Sequence, residues 1–357
     1  EHGLHKRIAL GLIKITGTSA NGIILGFMIA TGFLSMWISN TATTIMMLPI
    51  ATSVVKLVQH DSLDSKGFSK FALALMLAIA YAANIGGVAT IIGTPPNVVF
   101  AGYAQELLHT EIGFADWMMV GVPISLLLLI ITFLLLTQIL YKNRLGKMSN
   151  AETIIQREIN KLGNWKREER LVAFVFGLTA FMWIFKEPLN NLIGFTLLND
   201  TVTAMIGGLL MFIIPIDKRA EQKLLIWKAT ERLPWGILLL FGGGMTLARG
   251  MEKAGIVNVI SQVISENHFP LIVVFLILIA AMLFLTELMS NVALATVFIP
   301  IVIAIAEGAQ INPLVLSIPV AMAASCAFMM PISTPPNAIV FSSGHIRMMQ
   351  MVKAGIW

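Results

Sequence analysis

Ser39-Asn40-Thr41 and Ser290-Asn291-Val292 are two short polar triads set in apolar sequence. The first is followed by Met47-Leu48-Pro49-Ile50 and the second by Phe298-Ile299-Pro300-Ile301. Further along, each half carries a Thr-Pro-Pro-Asn tetrad, Thr94 to Asn97 and Thr334 to Asn337. The side chains around these motifs (Ser35, Ser39, Asn40, Thr41, Thr94, Thr286, Ser290, Asn291, Ser333 and Thr334) are hydroxyls and carboxamides. Neutral oxygens of this kind, with backbone carbonyls, suit a hard monovalent cation that must leave again, sodium above all. Thiolates or imidazoles would suit a transition metal. The paired prolines remove amide donors and exclude the preceding residue from helical geometry, so each tetrad breaks a helix. A break at membrane depth frees carbonyls at the end of one half-helix and amides at the start of the next. The same local structure can then hold a cation on one side and an anion on the other. Gly93, beside the first break, lets a ligand approach the backbone closely. No lysine or arginine lies in the four motifs. An anion bound there is offset by helix N-termini, by amide and hydroxyl donors and by the bound cations themselves, which couples the two binding events.

A single motif of this kind is as readily a hydrogen-bonded bridge between neighbouring membrane helices, where proline is also common. Four motifs in two matched pairs point instead to one site built from two related pieces. Glu287, three residues before Ser290, is the acidic residue deep in a hairpin arm. It reads as a proton site or as a hydrogen-bonded structural group, and the structural reading is favoured because the aligned residue of the first half is Met36. The six histidines show no metal-ligand spacing, the methionines and Cys326 read as packing, and there is no dinucleotide fingerprint or phosphate loop. An intramembrane hydrolase would need a base paired with Ser39 or Ser290, and none is near in sequence.

The elements that must position these residues lie in lipid. The chain is 57% hydrophobic and 12% charged, with a mean hydropathy of +0.84, too apolar for a soluble domain. Its net charge of +5 resides in loops, where basic residues mark the cytoplasmic side rather than a nucleic-acid surface. Residues 70–92 and 117–141 are long enough to span a bilayer, and 171–185 and 201–216 are shorter candidates. The loops Lys142–Arg170 and Asp217–Leu233 carry eight and five basic residues and are placed in the cytoplasm. Glu106–Asp116 and Lys186–Asp200, poor in basic residues, are placed outside.

Glu1 through Pro49 align without gaps to Glu252 through Pro300 at a constant offset of 251 residues. Residues 1–70 hold Lys6, Arg7, Lys14, Lys56, Lys66 and Lys70, whereas residues 252–314 hold only Lys253, so the two related halves face opposite ways. The fold class predicted is an all-α polytopic membrane protein of inverted-topology repeats with re-entrant helical hairpins and broken transmembrane helices. The first repeat is placed at 1–116 (hairpin 22–59, broken helix 70–109). Scaffold-type spans and cytoplasmic loops fill 117–234, and the second repeat is 235–357 (hairpin 270–307, broken helix 313–350). Each Ser-Asn triad forms a hairpin tip, whose exposed backbone is tolerable only inside protein or beside a water-filled cavity.

These motifs, and above all the run from Ser325 through Phe328, Pro331 and Asn337 to Val340, resemble the divalent anion/sodium symporter family, most closely its sodium-coupled dicarboxylate branch. The resemblance covers essentially the whole chain. It implies an elevator-type homodimer of the ion transporter superfamily in a bacterial inner membrane, carrying a C4-dicarboxylate such as succinate, fumarate or malate with sodium. Carried over by motif, a first sodium site comprises Ser35, Ser39 and Asn40 with the Gly93 carbonyl, and a second Thr286, Asn291 and Ser333 with the Met289 carbonyl. The substrate carboxylates fall to Asn40, Thr41, Thr94, Asn291, Val292, Thr334 and Pro335. Val292 stands where some members have threonine, which removes one hydroxyl. Relative to the family the chain is expected to lack N-terminal spans and a final C-terminal span, and with them part of the scaffold. The alternatives are an exchanger of carboxylates, a citrate or sulfate carrier of the same fold, and a non-transporting anion-binding receptor or scaffold subunit.

Overall fold

A computed structural model describes the chain apart from residues 1–2, 62–63, 144, 147–148, 195, 218–221, 234, 256–258 and 260–269. Among the described residues the protein is helical throughout, with one isolated antiparallel bridge between Pro215 and Lys223. The amphipathic α1 (Leu4–Ile15) buries Ala9, Leu10 and Ile13, and the chain turns at Gly17, in the left-handed region at φ 84°, into α2 (Ala20–Ser35). Ser19 caps α2 by accepting from the Gly22 amide. α2 and α3 (Asn40–Asp61) form the first hairpin, with residues 36–39 as its tip.

α4 (Ser65–Val88) starts on an Asp64 cap and is buried on every side from Phe71 to Val88. A helix with no exposed face needs close neighbours, and its many alanines and glycines permit them. Gly86 meets Gly32 of α2 backbone to backbone, and a Cβ at Gly86 would collide with the Gly32 carbonyl. The chain then breaks over 89–94 and resumes as α5 (Pro95–Leu108).

The middle of the chain holds α6 (Phe114–Leu134), which continues through a π-helical turn at Leu135–Leu140. It is followed by the amphipathic α7 (Ser149–Leu162), α8 (Arg167–Ile184), α9 (Lys186–Ile193), α10 (Asp200–Ile213) and α11 (Gly236–Lys253). Most of the apolar α6 side chains face outward, as expected of a lipid-facing span. α8 bends by 79° into α9, so part of the segment read as an external loop is helical. In the second half α12 (Leu271–Leu285) and α13 (Asn291–Gly308) form the second hairpin. They are followed by α14 (Pro313–Ala323), a break over 324–334, α15 (Pro335–Phe341) and α16 (Met348–Gly355). The broken helix placed at 313–350 stops at Phe341, because Ser342 to Gly344 turn the chain and Gly344 adopts φ 77°.

Among the described residues three helices are long and apolar enough to cross a membrane, at Ser65–Val88, Phe114–Leu140 and Asn291–Gly308, and the α8–α9 pair joins them only when its two bent segments are counted as one span. The two halves are interlocked. α5 packs on α13 and α14 of the other half, and α15 packs on α3 and α4. Val340 and Met351 accordingly sit in the core of the first hairpin, and Phe100 and Tyr103 in that of the second. This exchange brings both breaks and both tips to one place.

At the ends of the helices two ionic clusters tie elements together. Arg7 of α1 pairs with the nearly buried Glu169 of α8 at 3.0 Å, donates to the carbonyls of Leu162, Gly163 and Asn164, and lies over the Trp165 ring. Lys186 lies 3.2 Å from Asp200 and 3.6 Å from Glu111, and Asp200 also accepts from the Phe114 amide. Burial alone would lower the Lys186 pKa, but the Asp200 and Glu111 carboxylates outweigh it and hold the ammonium above its usual value.

Candidate functional site

At each hairpin tip the triad asparagine is oriented by the last hydroxyl of the incoming arm. Ser35 Oγ donates to Asn40 Oδ1 at 2.5 Å, and Thr286 Oγ1 lies 2.8 Å from Asn291 Oδ1 and 2.7 Å from the Ala324 carbonyl, which share its one hydrogen. Both hydroxyl residues are fully buried. The tips are tied to the breaks, since Thr90 Oγ1 donates to the Met36 carbonyl and Ser333 Oγ lies 3.1 Å from the Glu287 carbonyl.

The tetrad asparagines hold the breaks closed in matching fashion. Asn97 Nδ2 donates to the carbonyls of Gly87 and Thr90, ten and seven residues upstream. Asn337 Nδ2 donates to those of Ala327 and Met330, again ten and seven residues upstream. These carbonyls have lost their helical partners at the break, and the carboxamide replaces them. The first break is further set by glycine. A Cβ at Gly93 would strike the Gly87 carbonyl, and one at Gly87 would lie 2.6 Å from Asn40 Oδ1. The Asn40 carboxamide thus rests on the bare backbone of α4. The second break has a different device. Glu287 accepts from the amides of Phe328, Met329 and Met330 at 2.6, 2.8 and 2.9 Å and from Ser333 Oγ. A carboxylate at membrane depth is thereby fully hydrogen-bonded, the structural arrangement of the two considered for this residue.

All four motifs open onto one cavity of about 460 Å³, within the range of small-molecule sites. Every residue assigned to the carboxylates lines it: Asn40, Thr41, Thr94, Asn291, Val292, Thr334 and Pro335. Of the residues assigned to sodium, Ser39, Asn40, Gly93, Asn291 and Ser333 line it as well. Ser35 and Thr286 stand one layer behind, reached through their asparagines. Met289 is not on the wall, and its side chain is half exposed. Among the described residues no lysine or arginine lines the cavity. Helices α3, α5 and α13 begin there, which favours negative charge, while α2, α4 and α12 end close by. A second cavity of about 490 Å³ behind Glu287 is roomier, but its walls are almost wholly apolar, and it lacks the converging hydroxyls and carboxamides.

Asn84, on the cavity wall, went unnoticed in the sequence. It is 1% exposed, and its Nδ2 lies 3.3 Å from the Ala327 carbonyl, 3.2 Å from Thr334 Oγ1 and 3.5 Å from Asn337 Oδ1. A lone carboxamide in an otherwise apolar helix was the available signal. Trp37, at the first tip, was also passed over. Its ring lies 6.0 Å from Phe114 of α6 and 5.1 Å from Phe176 of α8, and Phe114 stacks on Trp183. The first tip is therefore docked on α6 and α8, whereas Leu288 and Met289 of the second tip are largely exposed.

A family profile described as the transmembrane region of sodium:sulfate symporters matches residues 1–357. A protein of Staphylococcus saprophyticus named sodium-dependent dicarboxylate transporter SdcS is 42% identical over 361 residues, covering 99% of this chain and 69% of that protein. The protein of the same name from Staphylococcus aureus strain USA300 is 40% identical over 360 residues, with the same coverage.

Proposed function

Since the chain belongs to the sodium:sulfate symporter family and is a membrane transporter coupled to sodium, not an enzyme, we propose that it takes up C4-dicarboxylates such as succinate, fumarate or malate by alternating access. The dicarboxylate class follows the names of its bacterial relatives. The observation that carries the reading is the single cavity onto which both Ser-Asn triads and both Thr-Pro-Pro-Asn breaks open, with no cationic side chain on its wall. A dianion there needs countercharge, and bound sodium supplies it next to the helix N-termini.

The first sodium is held by Ser35, Ser39 and Asn40 with the Gly93 carbonyl, and the second by Thr286, Asn291 and Ser333 with the Met289 carbonyl. Ser35 spends its hydrogen on Asn40, and Thr286 shares its own between Asn291 and the Ala324 carbonyl, which leaves hydroxyl lone pairs for a cation. Sodium on these ligands stiffens the two tips. The carboxylates then bind between them on Asn40, Thr41, Thr94, Asn291, Thr334 and the backbone of Pro335, with Val292 as an apolar wall. The loaded hairpins and broken helices move together past α6 and α8, and the Trp37 cluster must part along with the bonds from Trp117 and Ser125 of α6 to the Val88 and Ile85 carbonyls of α4.

Uptake of labelled succinate into empty proteoliposomes under an inward sodium gradient tests this. Accumulation in sodium and none in potassium is expected. Uptake that appears only in vesicles preloaded with succinate would show an exchanger, and sodium-dependent binding without accumulation would show a receptor.

A further inference from the structure

Thr334 has a hydroxyl whose acceptor capacity is already spent. Asn84 Nδ2 approaches Thr334 Oγ1 at 3.2 Å, and the Asn337 backbone amide approaches the same oxygen at 3.3 Å. The identity of the Asn84 atom is settled by its other neighbour, since the Ala327 carbonyl at 3.3 Å can only accept. Two donors therefore occupy the two lone pairs of Thr334 Oγ1, and no described bond takes its hydrogen. That hydrogen belongs to a group lining the cavity.

The matching hydroxyl of the first half is placed differently. Thr94 makes no cap bond to its helix, and its one described partner is Ser325 Oγ at 3.4 Å. Where Asn84 stands for Thr334, the equivalent residue for Thr94 is Ala324, which has no donor to offer. In keeping with this, Asn97 Oδ1 is buried without a partner, whereas Asn337 Oδ1 lies 3.5 Å from Asn84 Nδ2, whose two hydrogens face the nearer Ala327 carbonyl and Thr334 Oγ1. The two ends of the cavity are therefore unequal. The Thr94 hydroxyl is free to donate or accept, and the Thr334 hydroxyl is free only to donate.

We propose that Asn84 is a positioning residue that turns the Thr334 hydroxyl into an obligate donor, so that this end of the cavity selects an acceptor, a carboxylate oxygen of the substrate. The inference rests on the reading of the cavity as a dicarboxylate site. Because the donor is in place before substrate arrives, its loss weakens binding in the ground state and shows in KM rather than in the maximal rate.

The test is a double-mutant cycle of Asn84→Leu and Thr334→Val in the full-length protein, read as sodium-driven succinate uptake in proteoliposomes. Asn84→Leu is expected to raise KM about tenfold, the effect of one hydrogen bond to a charged group. The maximal rate and the sodium dependence at saturating succinate should change by less than about twofold. In the Thr334→Val background, Asn84→Leu should raise KM no further. Additive losses would show that Asn84 acts by packing, and an unchanged KM would show that it does not act on substrate at all. Either overturns the inference while leaving the transport reading intact. Absence of uptake by the parent protein overturns both. Asn84→Ser, which keeps one donor on a shorter side chain, replaces the leucine variant in the cycle if the latter is not recovered folded.

Discussion

Alanine at Gly87 is a sharp perturbation of the proposed first sodium site because it adds one methyl group at a place where only the Asn40 carboxamide can yield. The new Cβ would lie 2.6 Å from Asn40 Oδ1, 3.0 Å from Nδ2 and 3.2 Å from Cγ. Contacts between non-bonded heavy atoms relax only at about 3.5–4.0 Å, so the carboxamide must retreat by about 1 Å. Ser35 Oγ, at 2.5 Å from the same Oδ1, restricts how it can do so. The helix itself gains, since alanine is favoured over glycine in a helix by about 0.5–1 kcal/mol. The expected cost falls on the cation. Misplacing one charge-assisted ligand removes about 1.5–3 kcal/mol, or roughly tenfold to hundredfold in sodium affinity. Sodium titration of succinate uptake in proteoliposomes reads this directly, with thermal stability in sodium-free buffer as the control for folding. The titration should shift to higher sodium while stability without sodium is kept, and much of the transport should return at saturating sodium. An unchanged titration in a folded protein would falsify the assignment of Asn40 as a ligand. Lower stability without sodium would mean that α4 cannot accept the methyl group, contrary to the helix argument.

Glu287→Gln turns an acceptor toward a donor among three amides, leaving at least one of them unpaired. A stability loss of about 1–3 kcal/mol, seen as a lower Tm with and without sodium, is expected together with reduced uptake. Were Glu287 instead a proton carrier, the variant would keep its Tm and lose only the pH dependence of transport. Glu169→Ala strips a nearly buried guanidinium of its carboxylate, and a loss of about 3–5 kcal/mol in denaturant or thermal unfolding is expected. A change under about 1 kcal/mol would place that pair among solvent-screened surface contacts. Lys186 has a folded-state pKa above its ordinary 10.5. Its stabilising contribution is therefore complete below that value and is lost as pH rises through the folded-state pKa. The stability difference between the parent and Lys186→Gln should be flat through neutral pH and shrink only in strong alkali. A difference that varies near neutrality would assign the contact to another group.

The residues around the cavity were legible because polar groups and prolines in apolar sequence have few tolerable places. Ser39-Asn40 and Thr94-Pro95-Pro96-Asn97 announce a tip and a break by composition alone, and the fixed offset between the triads announces their pairing. The same signals place the first tip between arms at 22–38 and 42–59 and the break at the Thr-Pro-Pro-Asn tetrad, whereas α4, expected from residue 70, begins at Ser65 on its Asp64 cap. What was not legible depends on partners far away in the chain. Asn84 is an unremarked carboxamide until the fold brings Ala327 and Thr334 against it, across 243 and 250 residues. Glu287 could be weighed as buried, but the three amides that bind it appear only once the second break is unwound. Likewise Ser342 to Gly344 are too short a polar run to reveal that α15 ends after two turns.

The two breaks reach similar geometry by dissimilar means, the first through glycine contacts with no spare volume and the second through a cage of amides around the Glu287 carboxyl group. This gives the halves separate mutational histories to follow. A change that reshapes the cage around Glu287 leaves the glycine floor under Asn40 untouched, and the reverse holds as well. One of the two proposed ion sites can therefore drift in affinity or ion preference while the other is conserved in shape. A duplicated ancestor with two equal sites would thus have a physical route to descendants whose sites respond unequally to the ions around them.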